Sequence, residues 1–173
     1  MIIEMNDYNI DVIRSKYSLV PRSLIFIQKE NKFLLIHKRK KDSFGFGKLN
    51  GVGGHIEKAE EPFESARREI CEETGLEVCN LELAAVLFID IGKNPGIEVF
   101  VFIAGYESGE LINSDEGELV WMSREEIQNS NEILDDIPQL ISICIDHEFG
   151  RKPKFLKYTH DNKGELRIVI ASD

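Results

Sequence analysis

The stretch that decides the reading is Gly54-His55-Ile56-Glu57-Lys58-Ala59-Glu60, followed by Arg68-Glu69-Ile70-Cys71-Glu72-Glu73-Thr74-Gly75-Leu76. Glu60-Glu61-Pro62 opens a helix between the two halves. Proline suits the first turn, where its missing N–H has no partner anyway, and acids there favour the positive end of the dipole. Phe63, Ala66 and Ile70 recur at helical spacing and mark the buried face, and Gly75 ends the element. On this helix Glu69, Glu72 and Glu73 fall at i, i+3 and i+4, so their carboxylates share a face. Such a face is either simply solvated or holds a cation. Three carboxylates, with the carbonyls of the preceding glycine-rich turn, are hard oxygen ligands of the kind Mg²⁺ or Mn²⁺ accepts.

Outward from this helix the chain reads as strands and short helices without a regular βαβ repeat. Leu24–Ile27 and Phe33–Ile36 are two apolar strands joined by a turn at Lys29–Lys32, and a Lys- and Gly-rich loop runs from Lys38 to Gly54. Leu76–Ile91 and Ile97–Tyr106 are long β-rich runs separated by Gly92-Lys93-Asn94-Pro95-Gly96, a turn by composition. Glu118–Met122 is another strand, and Ser123-Arg124-Glu125-Glu126 is a capping box that starts a short helix. A further helix is expected from Asp135-Asp136-Ile137-Pro138 to about Glu148, stopped by Gly150. Phe155–Tyr158 and Leu166–Ile170 flank the hairpin turn Asp161-Asn162-Lys163-Gly164. This order predicts an α/β fold, a mixed sheet with helices packed on it.

Composition bounds the function. The chain has 173 residues, 42% apolar and 30% charged, the balance of a folded domain. Residues 21–173 are read as one domain, with 1–20 as an arm or extra element. Against 31 acidic residues stand 21 basic ones, a formal charge of −10 that repels nucleic-acid polymers. No apolar run approaches the length of a membrane span, and no secretory signal opens the chain, so a cytoplasmic location is expected. Cys71, Cys79 and Cys144 form no CxxC pair and read as free thiols of a reducing compartment.

The quoted stretch fits G-x5-E-x7-R-E-U-x-E-E-x-G-U, with U a bulky apolar residue, and so resembles the Nudix box. Gly54, Glu60, Arg68, Glu69, Ile70, Glu72, Glu73, Gly75 and Leu76 match it without exception. At about 7% per fixed letter, the match would arise by chance in roughly one window in 10⁸. The resemblance implies an α/β/α sandwich around a mixed sheet, and hydrolysis of a nucleoside diphosphate linked to another moiety. It implies Glu69 and Glu73 as principal metal ligands, assisted by Glu72 and the Gly53 carbonyl, with Mg²⁺ or Mn²⁺ as cofactor. Arg68 and Glu60, like Gly54 and Gly75, take structural roles, the charged pair orienting the ligand glutamates.

Outside the box, Arg39 resembles a phosphate-contacting position, although Lys38–Lys41 also reads as a solvated run. Glu116 falls where MutT-like members carry a further carboxylate that binds metal or takes the water proton, and reads equally as a turn acid. Lys48-Leu49-Asn50-Gly51-Val52-Gly53-Gly54 and the pair Asp135-Asp136 resemble the base-holding residues of oxidised-purine triphosphatases. Leu49 and Ile133 depart from that pattern, where tryptophans are usual, and Asp135-Asp136 is also a helix N-cap sequence. The implied partner is a small nucleotide, with no polymer and no membrane, and a homodimer is left open. The alternatives are a nucleotide-sugar or ADP-ribose hydrolase, or a Nudix domain that senses a ligand without turnover.

Overall fold

The structure is a computed structural model that describes residues 15–39, 45–112, 115–146, 152–160 and 166–171. Most of the expected N-terminal arm, part of the Lys/Gly loop and the turn at 161–164 lie outside these residues. The strands are β1 (Leu19–Lys29), β2 (Lys32–Lys38), β3 (Leu49–Asn50), β4 (Glu77–Ile89), β5 (Gly96–Ser108), β6 (Gly117–Ser123), β7 (Lys154–His160) and β8 (Leu166–Ile170). The helices are α1 (Pro62–Thr74), α2 (Arg124–Asn129) and α3 (Ile137–Ile145).

All eight strands form one mixed sheet in the order β3-β2-β1-β5-β4-β7-β8, with β6 on the other edge of β2. β1 runs parallel to β5 and β4 parallel to β7, while the remaining pairs are antiparallel. The near-continuous apolar runs of β1 and β2 follow from burial on both faces. Ile25 and Ile27 of β1, with Leu34 of β2, pack under Ala66 and Ile70 of α1. Their neighbours Leu24 and Phe26, with Phe33 and Leu35, face Ile127 of α2 and Ile137, Leu140 and Ile141 of α3. Alternation along the strands therefore supplies two cores, and the fold is a sandwich with helices on both sides of a mixed sheet.

α1 begins with a capping box in which Glu61 accepts from the backbone of Phe63 and Glu64, and the Glu64 side chain returns the bond to Glu61. It ends at Gly75, left-handed at φ 70°, whose N–H donates to the Cys71 carbonyl. α3 is shorter than expected and is capped at Asp146; residues 147–150 lie outside the described ones. β3 is a two-residue strand that the sequence reading folded into the loop, and its pairing to Ile36 and His37 draws Asn50 onto the sheet. No described helix is long and apolar enough to cross a membrane.

Candidate active site

α1 lies across β1 so that its carboxylates meet the Gly53-Gly54 turn. Glu69 and Glu73, one helical turn apart, are only 8% and 3% exposed. Glu72 departs from the expected shared face, since at 100° per residue it is rotated to the flank and its side chain is largely in solvent. The Arg68 guanidinium ties the box together. It donates to both Glu60 oxygens at 2.7 and 2.9 Å, to Glu69 Oε1 at 2.9 Å, to Glu72 Oε2 at 3.2 Å and to the His55 carbonyl at 3.1 Å. These Arg68 bonds, with the Glu57 N–H, hold the Glu60 carboxyl down at about 2. The same partners push the Arg68 pKa up. For Glu69 burial wins instead and pushes its carboxyl up, partly opposed by Arg68.

The turn is shaped for close approach. Gly53 sits at φ 139°, where a side chain would be strained and would meet the Ser23 carbonyl of β1. A Cβ on Gly54 would come within 2.5 Å of Glu69 Oε1, so the carboxylate packs directly on this glycine. Gly53 N–H donates to Glu73 Oε2 at 2.9 Å. On the other side Lys38 Nζ reaches Glu73 Oε1 at 2.5 Å and the Gly53 carbonyl at 3.4 Å.

The donor chemistry fits a divalent cation. Among the described residues no three Asp, Glu, His or Cys side chains converge on one point. The reason is local, since Arg68 engages Glu69 and Glu72 while Lys38 engages Glu73. Mg²⁺ needs only one or two carboxylates when phosphate oxygens and water complete its shell. Glu73 Oε1 and the Gly53 carbonyl already share the Lys38 ammonium, so this pair of hard oxygens accepts positive charge.

Beside this cluster, on the α3 side of the sheet, is a cavity walled by Leu24, Leu87, Ile97, Val99 and Leu140, with Asn50, Gly53, Asp136, Tyr158 and Arg22 as its polar edges. Asp136 precedes α3 but makes no side-chain cap, so helix capping does not account for it. Its Oδ2 accepts instead from the Tyr158 hydroxyl of β7. Burial pushes the Asp136 carboxyl up, with Tyr158 opposing and the charge of Asp135 adding to the rise. Burial and the Asp136 charge push the Tyr158 hydroxyl up as well. Asn50 Oδ1 accepts from Gly51 N–H at 2.8 Å, which fixes the orientation of the amide.

Of the residues picked from sequence, Asn50, Gly53 and Asp136 thus share one cavity, while Glu60, Arg68, Glu69 and Glu73 form the cluster beside it. Asp135 is exposed and is not among the walls. Arg39 is also exposed, and pairs with Glu118 at 2.5 Å. Glu116 lies just before β6, and its carbonyl accepts from Arg39 N–H at 3.0 Å, next to the strand end that carries Lys38.

Lys38 is a correction. It does not belong to a solvated run but is buried, 5% exposed. The signal was available: Leu34, Ile36 and Lys38 alternate onto the α1 face of β2. Arg22 and Tyr158 carried no motif and become visible only through the strand pairing.

A family model described as "NUDIX domain" matches residues 19–140. The chain is 35% identical over 116 residues to the "Oxidized purine nucleoside triphosphate hydrolase" of Danio rerio, covering 66% of this chain and 73% of that one. It is 30% identical over 106 residues to the protein of the same name from Mus musculus, covering 61% and 67%. Among solved structures, a MutT protein from Bacillus halodurans superposes with TM-score 0.67 at 24% identity, covering 88% of this chain and 97% of that one. A NUDIX-family hydrolase from Clostridium perfringens gives TM-score 0.59 at 26% identity, covering 73% and 95%. The matched span runs from β1 through the box helix into α3, and on it this chain belongs to the Nudix hydrolase family.

Proposed function

We propose that this Nudix hydrolase cleaves purine nucleoside triphosphates carrying an oxidised base to the monophosphate and pyrophosphate. The observation that carries the reading is that Asn50 and Asp136 line one apolar-walled cavity together with Gly53, the glycine whose N–H donates to Glu73 of the box. The names of the Danio rerio and Mus musculus relatives agree with it.

In this reading Glu69 and Glu73 hold Mg²⁺ or Mn²⁺, with Glu72 and the Gly53 carbonyl assisting. Bound there, a divalent cation would offset phosphate charge and supply Lewis-acid activation for the attack of water on phosphorus. The protein's own work is placement. Arg68 fixes Glu69 from one side and Glu60 fixes Arg68, so the carboxylates keep their aim when phosphate enters. Glu116, whose backbone meets the end of β2 next to Lys38, accepts the proton of the attacking water. Arg39 meets the outer phosphates, while Lys38 stays paired to Glu73. At the other end Asn50 and Asp136 read the base, with Asp135 reinforcing the field.

Oxidation at C8 turns the purine N7 from an acceptor into an N–H donor. A carboxylate that would repel guanine N7 accepts a hydrogen bond from the oxidised base, and ordinary guanine leaves buried groups unpaired. The net charge of −10 suits a small substrate neutralised locally rather than a polymer. Free Cys71, Cys79 and Cys144 suit the cytoplasm.

The test is a panel of ordinary and oxidised nucleotides and nucleotide-sugars with Mg²⁺ or Mn²⁺, products resolved by chromatography. The expected result is a higher kcat/KM for 8-oxo-dGTP than for dGTP, with pyrophosphate released. Equal values, or better turnover of a nucleotide-sugar, would leave only the general Nudix reaction.

A further inference from the structure

Arg22 stands at the junction of the cavity and the box. It lies near the start of β1, opposite Val99 of β5, and forms a β-bridge with His55 of the box loop. That end of the strand is stitched to the loop by two backbone bonds, Ser23 N–H to the Gly54 carbonyl at 3.0 Å and Ile56 N–H to the Pro21 carbonyl at 3.1 Å. Alternation turns Ser23 toward α1, where its hydroxyl meets Ser65 at 3.1 Å, and turns Arg22 to the opposite face with Leu24. Arg22 is the one cation among the described residues that line the cavity. It is half-buried, and the charge of Glu69 acts on it across the end of the strand.

A nucleotide with its base at Asn50 and Asp136 and its outer phosphates toward Glu69 and Glu73 must carry its α-phosphate through this junction. We infer that Arg22 is a substrate-binding residue that clamps the α-phosphate, the group kept by the monophosphate product. The inference rests on the proposed orientation of the nucleotide, not on the identity of its base. A guanidinium suits the task because its planar fork donates two parallel bonds to a phosphate and keeps its charge when partly desolvated. Asn50 and Asp136 then select the base, while Arg22 sets how tightly any nucleotide, modified or not, is held by its first phosphate.

Calorimetric binding without metal separates these roles. The ligands are 8-oxo-dGMP and dGMP, each against its free nucleoside. The expected result for wild type is that each monophosphate binds about tenfold or more tighter than its nucleoside. Arg22→Gln should collapse that gap in both series while leaving nucleoside affinity in place, and Arg22→Lys should retain part of it. A merely structural arginine would weaken nucleoside and monophosphate alike, and that result overturns the inference. So does a wild-type protein without the gap, or a gap unchanged in the variants. Should Arg22→Gln not fold, Arg22→Lys decides alone, because loss of the fork must narrow the gap by threefold or more. Equal wild-type binding of oxidised and ordinary ligands would refute the base assignment, whereas the monophosphate gap would still be read within each series.

Discussion

Lys38 Nζ lies 2.5 Å from Glu73 Oε1, and both side chains are almost wholly withdrawn from solvent. The pair joins the end of β2 to the last turn of α1. The second Glu73 oxygen accepts from Gly53 N–H, so strand, helix and turn meet on one carboxylate. Two charges held this way need each other, because either left alone would be a buried ion without a counter-charge. Lys38→Met should therefore destabilise the metal-free protein by about 3–5 kcal/mol. Saturating Mg²⁺ should restore part of the loss by supplying another cation at Glu73. Urea denaturation with and without Mg²⁺ checks this, and a loss independent of the metal would separate Glu73 from cation binding.

Glu73→Gln keeps the shape of the side chain and its bond from Gly53 but removes the charge. Divalent-dependent hydrolysis should fall by about 10²-fold or more in kcat, exceeding the effect of disturbing a ligand's supporting contacts. Stranding the Lys38 charge should lower Tm, but the melt should stay cooperative, so the loss of kcat is read on folded protein. Near wild-type turnover at saturating Mg²⁺ would place the metal elsewhere.

The Glu60–Arg68 pair carries a pH signature. The Glu60 carboxyl is held at about 2 when folded, below its ordinary 4.5. A depressed carboxylate pKa means that the unfolded chain takes up the proton first as pH falls. The stabilisation is thus complete above about 4.5 and disappears as pH drops toward 2. Glu60→Gln should lower Tm at pH 7, and the difference from wild type should shrink steadily between pH 5 and pH 2. A difference constant over that window would mean that the pair contributes through packing alone.

Much of this arrangement was legible in the sequence because it is local. The i, i+3, i+4 glutamates, the proline near the N-terminus of α1 and the Gly75 stop are all written within one helix, and the unbroken apolar runs of β1 and β2 read as strands. What escaped was set by pairing between distant segments. Lys38 is buried because β2 continues past its apolar run under α1. Tyr158 reaches Asp136 because β7 pairs in parallel with β4, a register that no local pattern encodes. Glu72 was read with its neighbours since spacing counts residues, whereas burial depends on which side of α1 meets the sheet.

Glu116 is positioned by β6, which pairs Gly117 with Lys38 at the end of β2. A group that takes a proton in the transition state should affect the chemical step more than binding. Glu116→Gln should lower kcat and kcat/KM together by about 10²-fold. A rise in KM at constant kcat, in steady-state assays over a range of nucleotide, would return it to the role of a turn acid.

Asp136 should show stability and function pulling in opposite directions. Burial raises its folded carboxyl pKa above the ordinary 3.8, with only partial relief from Tyr158. A raised carboxylate pKa means that the folded state binds the proton more tightly than the unfolded chain. Its contribution to stability is therefore fully present below the unfolded pKa and is lost as pH rises through the folded value. Above the unfolded pKa the buried carboxyl is a standing cost in the native protein. Asp136→Asn keeps an oxygen that accepts from Tyr158 and removes the charge, so the variant should melt higher than wild type at pH 8. That advantage should narrow as pH falls toward 3.8 and vanish well below it, where the wild-type carboxyl becomes neutral in both states. The same change should cut the preference for 8-oxo-dGTP over dGTP by about tenfold or more, because the base then loses its charged acceptor. Melting curves across pH, paired with kcat/KM for the two nucleotides, test both halves. A variant that melts no higher at pH 8, or keeps the full preference, would remove Asp136 from the base-reading wall.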